Sequence, residues 1–139
     1  MTRADAGDQV LDAQATTILV VDDSPDMRML ARVYLEDAGY RVVEEAIDGH
    51  DAVEKFVELA PPPIPTVILL DNMMPKLTGL EAAEMILGRS PEQLVVMFTA
   101  FPGDEVSAEA ARLGIAACVS KSELKDLPRI IGDVIAARG

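Results

Sequence analysis

The sequence lacks several features that would point to particular classes of protein. It has no tryptophan, one cysteine and one histidine in 139 residues. The single cysteine, Cys118, cannot form a disulfide within the chain, which is typical of the reducing cytoplasm. No apolar run approaches the ~20 residues of a membrane span, and the N-terminus lacks the basic start and apolar block of a signal peptide. We therefore expect a cytoplasmic protein with no membrane segment.

Basic residues are also scarce. Lysine and arginine together number 12, against 24 aspartate and glutamate residues, so the formal net charge is −12. Binding to nucleic acid phosphates needs a basic surface, and we therefore expect no direct contact with nucleic acid. The acidic balance is compatible with basic protein partners or with a divalent cation.

The chain is most simply one domain preceded by a short tail. Residues 1–15 are rich in Ala and Asp without a sustained apolar period, which predicts a flexible N-terminal tail. Residues 16–139 form the predicted domain, in which short apolar runs alternate with amphipathic stretches. Half of the residues are hydrophobic, which is enough for one buried core.

Five strand-then-helix units are predicted within this domain. The apolar runs that predict strands span residues 18–21, 41–46, 66–70, 94–99 and 116–119. The second run is the most polar, as expected of an edge strand. Ser24 and Pro25 mark the start of the first helix as N-cap and first helical residue. The third helix is predicted from about Leu80 to Leu87, with Gly88 beyond its end.

This alternation indicates an α/β fold. Solidly apolar strands between helices imply a parallel sheet that is covered on both faces. Five units are too few for an eightfold barrel. We therefore predict a doubly wound sheet of five parallel strands with five helices, for which the flavodoxin-like order 2-1-3-4-5 is one of the two common solutions.

Polar side chains follow four of the predicted strands. Asp22 and Asp23 follow the first strand, Asp71 the third and Lys121 the fifth, while Thr99 ends the fourth. Ligands of such sheets bind at the carboxyl ends of the strands, beside the point where strand order reverses. Three carboxylates without a His or Cys ligand favour Mg²⁺. Together with a lysine and a hydroxyl, they suit phosphoryl transfer to a carboxylate.

The motifs resemble those of the receiver domain of two-component response regulators, the CheY-like family. The matching features are DD after the first strand, DNMMP around Asp71, LTGLE at the third helix, TA after the fourth strand and the lysine after the fifth. The likeness extends from about Thr17 to Ala137. Each motif alone is weak, whereas the five in this order and spacing are highly specific.

The resemblance implies a phosphoacceptor site. Asp71 would receive a phosphoryl group from a sensor histidine kinase or a histidine phosphotransfer protein. Asp23 would bind Mg²⁺ directly, Asp22 mainly through water, and Asp71 and the backbone carbonyl of Met73 would complete the protein ligands. Such a domain is not a conventional enzyme, although it catalyses its own phosphorylation and dephosphorylation.

The resemblance also implies a switch. Thr99 and Lys121 would contact phosphoryl oxygens and draw their loops inward, which alters the face formed by the fourth helix, the fifth strand and the fifth helix. A downstream effector protein would bind this face, and phosphorylation-dependent dimerisation is left open. Two positions depart from the family pattern. Ser122 stands where proline usually follows the lysine, which leaves the Lys121–Ser122 bond open between cis and trans, and Cys118 replaces an aromatic residue that relays the change.

Two bulky apolar residues occupy positions that modulate the phosphoryl group's lifetime in the family. Met73 lies two residues after the acceptor, and Phe101 lies two residues after Thr99. In the family these positions flank the path of the attacking water. We therefore expect slow autodephosphorylation.

Three other functions fit the sequence less well than a receiver does. A phosphorylation-independent adaptor could keep the fold, although the intact acidic set argues against it. An Mg²⁺-dependent aspartyl phosphatase of the haloacid-dehalogenase type needs a second aspartate where Met73 stands. A flavodoxin needs a phosphate cradle where this chain has the acidic DDSPDM. Because the last predicted helix lies near the C-terminus and no helix-turn-helix follows it, we expect a stand-alone receiver.

Overall fold

Strands and helices alternate along the chain, as predicted. The computed structural model describes residues 16–59 and 65–138, so the tail predicted for residues 1–15 lies outside the described residues. The strands are β1 (Thr17–Val21), β2 (Arg41–Ala46), β3 (Val67–Leu70), β4 (Leu94–Thr99) and β5 (Ala117–Ser120). The helices are α1 (Pro25–Asp37), α2 (Gly49–Leu59), α3 (Gly79–Arg89), α4 (Asp104–Leu113) and α5 (Leu127–Arg138). None of the helices in these two ranges is long and apolar enough to cross a membrane.

The sheet has the predicted topology. All five strands pair in parallel, in the order β2-β1-β3-β4-β5. Val21, at the end of β1, lies opposite Leu70, at the end of β3, and Leu70 lies opposite Met97 of β4. The loops that follow β1, β3 and β4 therefore emerge side by side at one edge of the sheet.

Helices cover both faces of the sheet, so the central strands are buried on both sides. All four residues of β3, Val67–Leu70, are buried, and they alternate between two hydrophobic clusters. On one face they pack with Leu35 of α1 and Ile131 of α5, and on the other with Phe56 of α2 and Ile86 of α3. Because side chains are packed on both faces, β3 is a rigid support for the loop that follows it.

Helix α3 is longer than predicted. It begins at Gly79, and Thr78 is its N-cap in a capping box with Glu81. The prediction that the helix ends before Gly88 is wrong, because α3 continues to Arg89. A glycine inside a helix costs only about 1 kcal/mol relative to alanine, and the buried face of α3 outweighs that cost.

A 3₁₀ segment, Lys121–Asp126, lies between β5 and α5 and was not predicted. The Ser120 hydroxyl accepts a hydrogen bond from the N–H of Ser122 at 3.2 Å. The Glu123 carboxylate accepts one from the N–H of Ser120 at 3.4 Å. A proline at position 122 would have no N–H to donate, so this cap depends on the departure from the family pattern.

Candidate functional site

Three aspartates meet at the carboxyl edge of the sheet. Asp22 and Asp23 follow β1, Asp71 follows β3, and one carboxylate oxygen from each lies within 4.8 Å of the others. Asp71 and Asp22 are buried, with exposed fractions of 2% and 4%, whereas Asp23 is exposed. Carboxylates this close repel one another, so the cluster requires positive charge.

Lys121 provides part of that charge. Its Nζ lies 2.7 Å from Asp22 Oδ2 and 3.1 Å from Asp71 Oδ2. Burial lowers the pKa of Lys121, but the hydrogen bond and charge of Asp22, with those of Asp71, outweigh burial and raise it. Burial raises the pKa of Asp22, and the charge of Asp71 adds to this effect against the opposing hydrogen bonds of Lys121 and Ser24.

The cluster suits a divalent cation. Three carboxylates and one ammonium leave two formal negative charges uncompensated. The donors are all oxygens, which favours Mg²⁺ over softer metals. Exposed Asp23 leaves the cluster open to solvent, and Mg²⁺ usually keeps several of its waters. The residues present therefore fit Mg²⁺.

Asp22 is held by several neighbours in addition to Lys121. Its N–H donates to the Ala46 carbonyl of β2 at 3.1 Å. Its Oδ1 accepts from the N–H of Ser24 at 2.9 Å, and its carbonyl oxygen accepts from Arg28 Nη1 at 2.7 Å. The backbone and the carboxylate of this residue are thus both fixed. Arg28 was not among the predicted site residues.

The loop after β3 is held against the start of α3. Asn72 Oδ1 accepts a hydrogen bond from the Leu80 N–H at 3.0 Å. The Asn72 carbonyl oxygen accepts from the N–H groups of Gly79, at 3.2 Å, and Met74, at 3.0 Å. These contacts position the backbone that directly follows Asp71. The sequence signals that could have revealed them are the asparagine after the acceptor and the glycine that opens α3.

Thr99 has an unusual environment. It ends β4 beside β3 and is 1% exposed. Its hydroxyl has no hydrogen-bond partner among the described residues. Buried hydroxyls in proteins nearly always have one, so an unpartnered hydroxyl at this edge could bond an added acceptor. Its strand position places it next to the loop that carries Asp71.

The residues expected to modulate the site differ in exposure. The side chains of Met73 and Phe101 are 65% and 82% exposed. The N–H of Met73 donates to Asp71 Oδ1 at 3.2 Å. Cys118 is half-buried in β5 opposite Met97 and packs against the core, so it is part of the interior packing.

Comparisons with known proteins, by sequence and by structure, find the same family and the same fold. A family model described as "Response regulator receiver domain" matches residues 18–131. Chemotaxis protein CheY of Thermotoga maritima is 33% identical over 97 residues, which cover 70% of this chain and 78% of that protein. The crystal structure of the response regulator domain of Thermotoga maritima CheB has 31% identity and a TM-score of 0.76, with 88% of this chain and 95% of that chain covered. A LuxR-family two-component response regulator from Aurantimonas sp. SI85-9A1 has 29% identity and a TM-score of 0.80, with 88% and 86% covered.

Proposed function

This chain belongs to the response regulator receiver family, and from that premise we propose that Asp71 accepts a phosphoryl group from a phosphohistidine partner in the presence of Mg²⁺. The partner is a sensor histidine kinase or a histidine phosphotransfer protein. The proposal rests on the groups that surround Asp71. Its carboxylate lies 3.1 Å from the Lys121 ammonium and shares an oxygen cluster with Asp22 and Asp23.

Each group around Asp71 has a role in the transfer. A carboxylate oxygen of Asp71 forms a bond to phosphorus, and the bond between phosphorus and the donor's imidazole nitrogen breaks, with its electron pair left on the imidazole. Asp23, Asp71 and the Met73 carbonyl would hold Mg²⁺, with Asp22 acting through water, and the bound ion would supply positive charge beside the phosphoryl oxygens. Lys121, which pairs with Asp22 and Asp71, can pair with a phosphoryl oxygen instead.

The phosphorylated form signals through protein contacts. A phosphoryl oxygen would provide the acceptor that the buried Thr99 hydroxyl lacks among the described residues. Thr99 precedes α4, and Lys121 lies between β5 and α5. Movement of these two residues toward the phosphoryl group changes the face formed by α4, β5 and α5, where an effector protein binds. The net charge of −12 supports a protein partner over nucleic acid, and the single cysteine supports a cytoplasmic setting.

Acetyl phosphate tests the proposal directly. We expect incubation with acetyl phosphate and Mg²⁺ to add the mass of one phosphoryl group to Asp71, in a form that hydroxylamine removes. Chelation of Mg²⁺ with EDTA should prevent the addition, since the remaining carboxylate charge would repel the donor. The measurement is intact mass spectrometry followed by peptide mapping. A chain that stays unmodified with Mg²⁺ present would contradict the proposal and favour a phosphorylation-independent adaptor.

Replacing Met73 with asparagine is expected to shorten the lifetime of the phosphorylated protein several-fold. The exposed apolar side chains of Met73 and Phe101 can shield an acyl phosphate from water, whereas an asparagine amide can hydrogen-bond water. The measurement is the rate of phosphate release after the donor is removed. Met85→Asn is the control, because Met85 is also exposed but lies six residues into α3, about 9 Å along its axis. Hydrolysis no faster in Met73→Asn than in the wild type would refute the shielding.

A further inference from the structure

Arg28 connects the acidic cluster to the edge strand β2. Its Nη1 donates to the Asp22 carbonyl oxygen at 2.7 Å, and its Nε donates to Glu45 Oε1 at 2.9 Å. The Arg28 side chain is only 15% exposed. We propose that Arg28 is a positioning residue for the Mg²⁺ site. Arg28 holds the Asp22 carbonyl and thereby fixes the direction of the Asp23 carboxylate. This inference rests on the proposed function.

The peptide group transmits the effect of Arg28 to Asp23. The Asp22 carbonyl belongs to the planar peptide that joins Asp22 to Asp23, so holding this oxygen fixes the position of the Asp23 Cα. Asp23 is the exposed member of the cluster, and the other two carboxylates are buried and paired with Lys121. The direction of the Asp23 side chain therefore depends on its backbone more than on packing around the carboxylate.

Glu45 keeps the Arg28 guanidinium in place. One oxygen of this carboxylate accepts from Arg28, and the other accepts from Arg32 Nε and Nη2, at 2.9 and 2.7 Å. Burial raises the pKa of Glu45, but the hydrogen bonds and charges of Arg32 and Arg28 outweigh burial and lower it, so the carboxylate stays charged near neutral pH. Arg28 and Arg32 thus share an acceptor, and Arg28 is the one that also bonds the Asp22 carbonyl.

This shared acceptor provides a matched pair of variants. We expect Arg28→Met to weaken Mg²⁺ binding about tenfold, as is typical when a group that orients a metal ligand is removed. Arg32→Met, which removes the same charge and also loses an ion pair to Glu45, should bind Mg²⁺ within about twofold of the wild type. Removing a positive charge near a cation would by itself strengthen binding, so the expected weakening has the opposite sign to the simple charge effect.

Arg28→Lys separates geometry from charge. Lysine keeps the positive charge but lacks the planar fork that reaches the Asp22 carbonyl and Glu45 together. We therefore expect Arg28→Lys to bind Mg²⁺ several-fold more weakly than the wild type, and Arg32→Lys to bind it as the wild type does. The lysine variant also allows the test if Arg28→Met does not fold.

The experiment is calorimetric titration of each folded variant with MgCl₂, with thermal unfolding in EDTA as the measure of stability. The positioning role is supported if the Arg28 variants lose Mg²⁺ affinity and the Arg32 variants do not. This holds whatever the order of their melting temperatures. Equal Mg²⁺ affinities of the Arg28 and Arg32 variants, or tighter Mg²⁺ binding after Arg28 is replaced, would overturn the positioning role. If the wild type binds no Mg²⁺, the proposed function fails as well, whereas a binding wild type with unaffected Arg28 variants removes this inference alone.

Discussion

Asp71→Asn is expected to abolish phosphorylation by acetyl phosphate and Mg²⁺ while the protein stays folded. An amide oxygen is neutral and far less nucleophilic than a carboxylate, so the acceptor chemistry is lost. Asparagine has nearly the same shape, and its side-chain oxygen can still accept the Met73 N–H, which bonds Asp71 Oδ1 at 3.2 Å. Lys121 keeps its contact of 2.7 Å with Asp22.

The effect of Asp71→Asn on stability should be small because two changes oppose each other. The substitution removes a buried negative charge that repels Asp22. It also removes one of the two carboxylates that pair with Lys121. We expect the melting temperature to change by only a few degrees, so a missing adduct would not be the result of unfolding.

Asp48→Asn is the matched control for Asp71→Asn. Asp48 is also buried, at 9% exposure, but its Oδ1 caps the start of α2 by accepting the Asp51 N–H at 2.8 Å. Asparagine caps helices about as well as aspartate, so this variant should fold and be phosphorylated like the wild type. Intact mass spectrometry compares the three proteins. An undiminished adduct on Asp71→Asn would mean that the acceptor is another residue.

The parallel sheet and the position of the acidic residues at its carboxyl edge could be predicted because both follow from local patterns, whereas the strand order was one of two common solutions. Apolar runs that alternate with amphipathic helices imply a parallel sheet, and a doubly wound sheet brings the carboxyl ends of its strands to one edge. Asp22, Asp23 and Asp71 immediately follow two of those runs, and they meet because β1 and β3 are neighbours in the order 2-1-3-4-5. The Ser24 cap of α1, at 3.2 Å from the Met27 N–H, was equally local.

The contact between Arg28 and Glu45 could not be predicted, because it depends on an irregularity in strand pairing. Ile18 lies opposite Val42, but the next residue of β1 lies opposite Glu44, so the register shifts by one residue between them. A one-residue shift exchanges the faces to which side chains point. The face on which Glu45 lies, and therefore its contact with Arg28 on α1, follows from this shift and not from simple alternation.

Gly79→Ala is expected to destabilise the protein by about 2 kcal/mol and to lower its melting temperature by roughly 8 °C, since added atoms in a tightly packed site usually cost this much. A Cβ at position 79 would lie far inside van der Waals contact of the Asp71 carbonyl oxygen and 2.7 Å from the Asn72 Cα. Both obstacles are backbone atoms, which cannot move aside as the end of a flexible side chain can. Either the loop after β3 or the start of α3 must shift.

Gly88→Ala, in the same helix, is the matched control for Gly79→Ala. A Cβ at position 88 would meet no atom within 4 Å, and the residue is exposed. Alanine is favoured over glycine inside a helix by about 1 kcal/mol, so this variant should be stabilised by up to that amount. The same glycine-to-alanine change is thus expected to lower stability at one position of α3 and to raise it at another, nine residues away.

Urea unfolding of the wild type and the two alanine variants measures these changes in stability. Mg²⁺ titration of the folded proteins measures the effect on the site. Because the clash is with the backbone of Asp71 and Asn72, Gly79→Ala should also weaken Mg²⁺ binding, while Gly88→Ala should leave it unchanged. Equal stability of Gly79→Ala and the wild type would show that the start of α3 can move away at little cost. In that case α3 would not fix the position of the acceptor, and the position of Asp71 would depend on β3 and on the contacts of its carboxylate with Lys121 and the Met73 N–H.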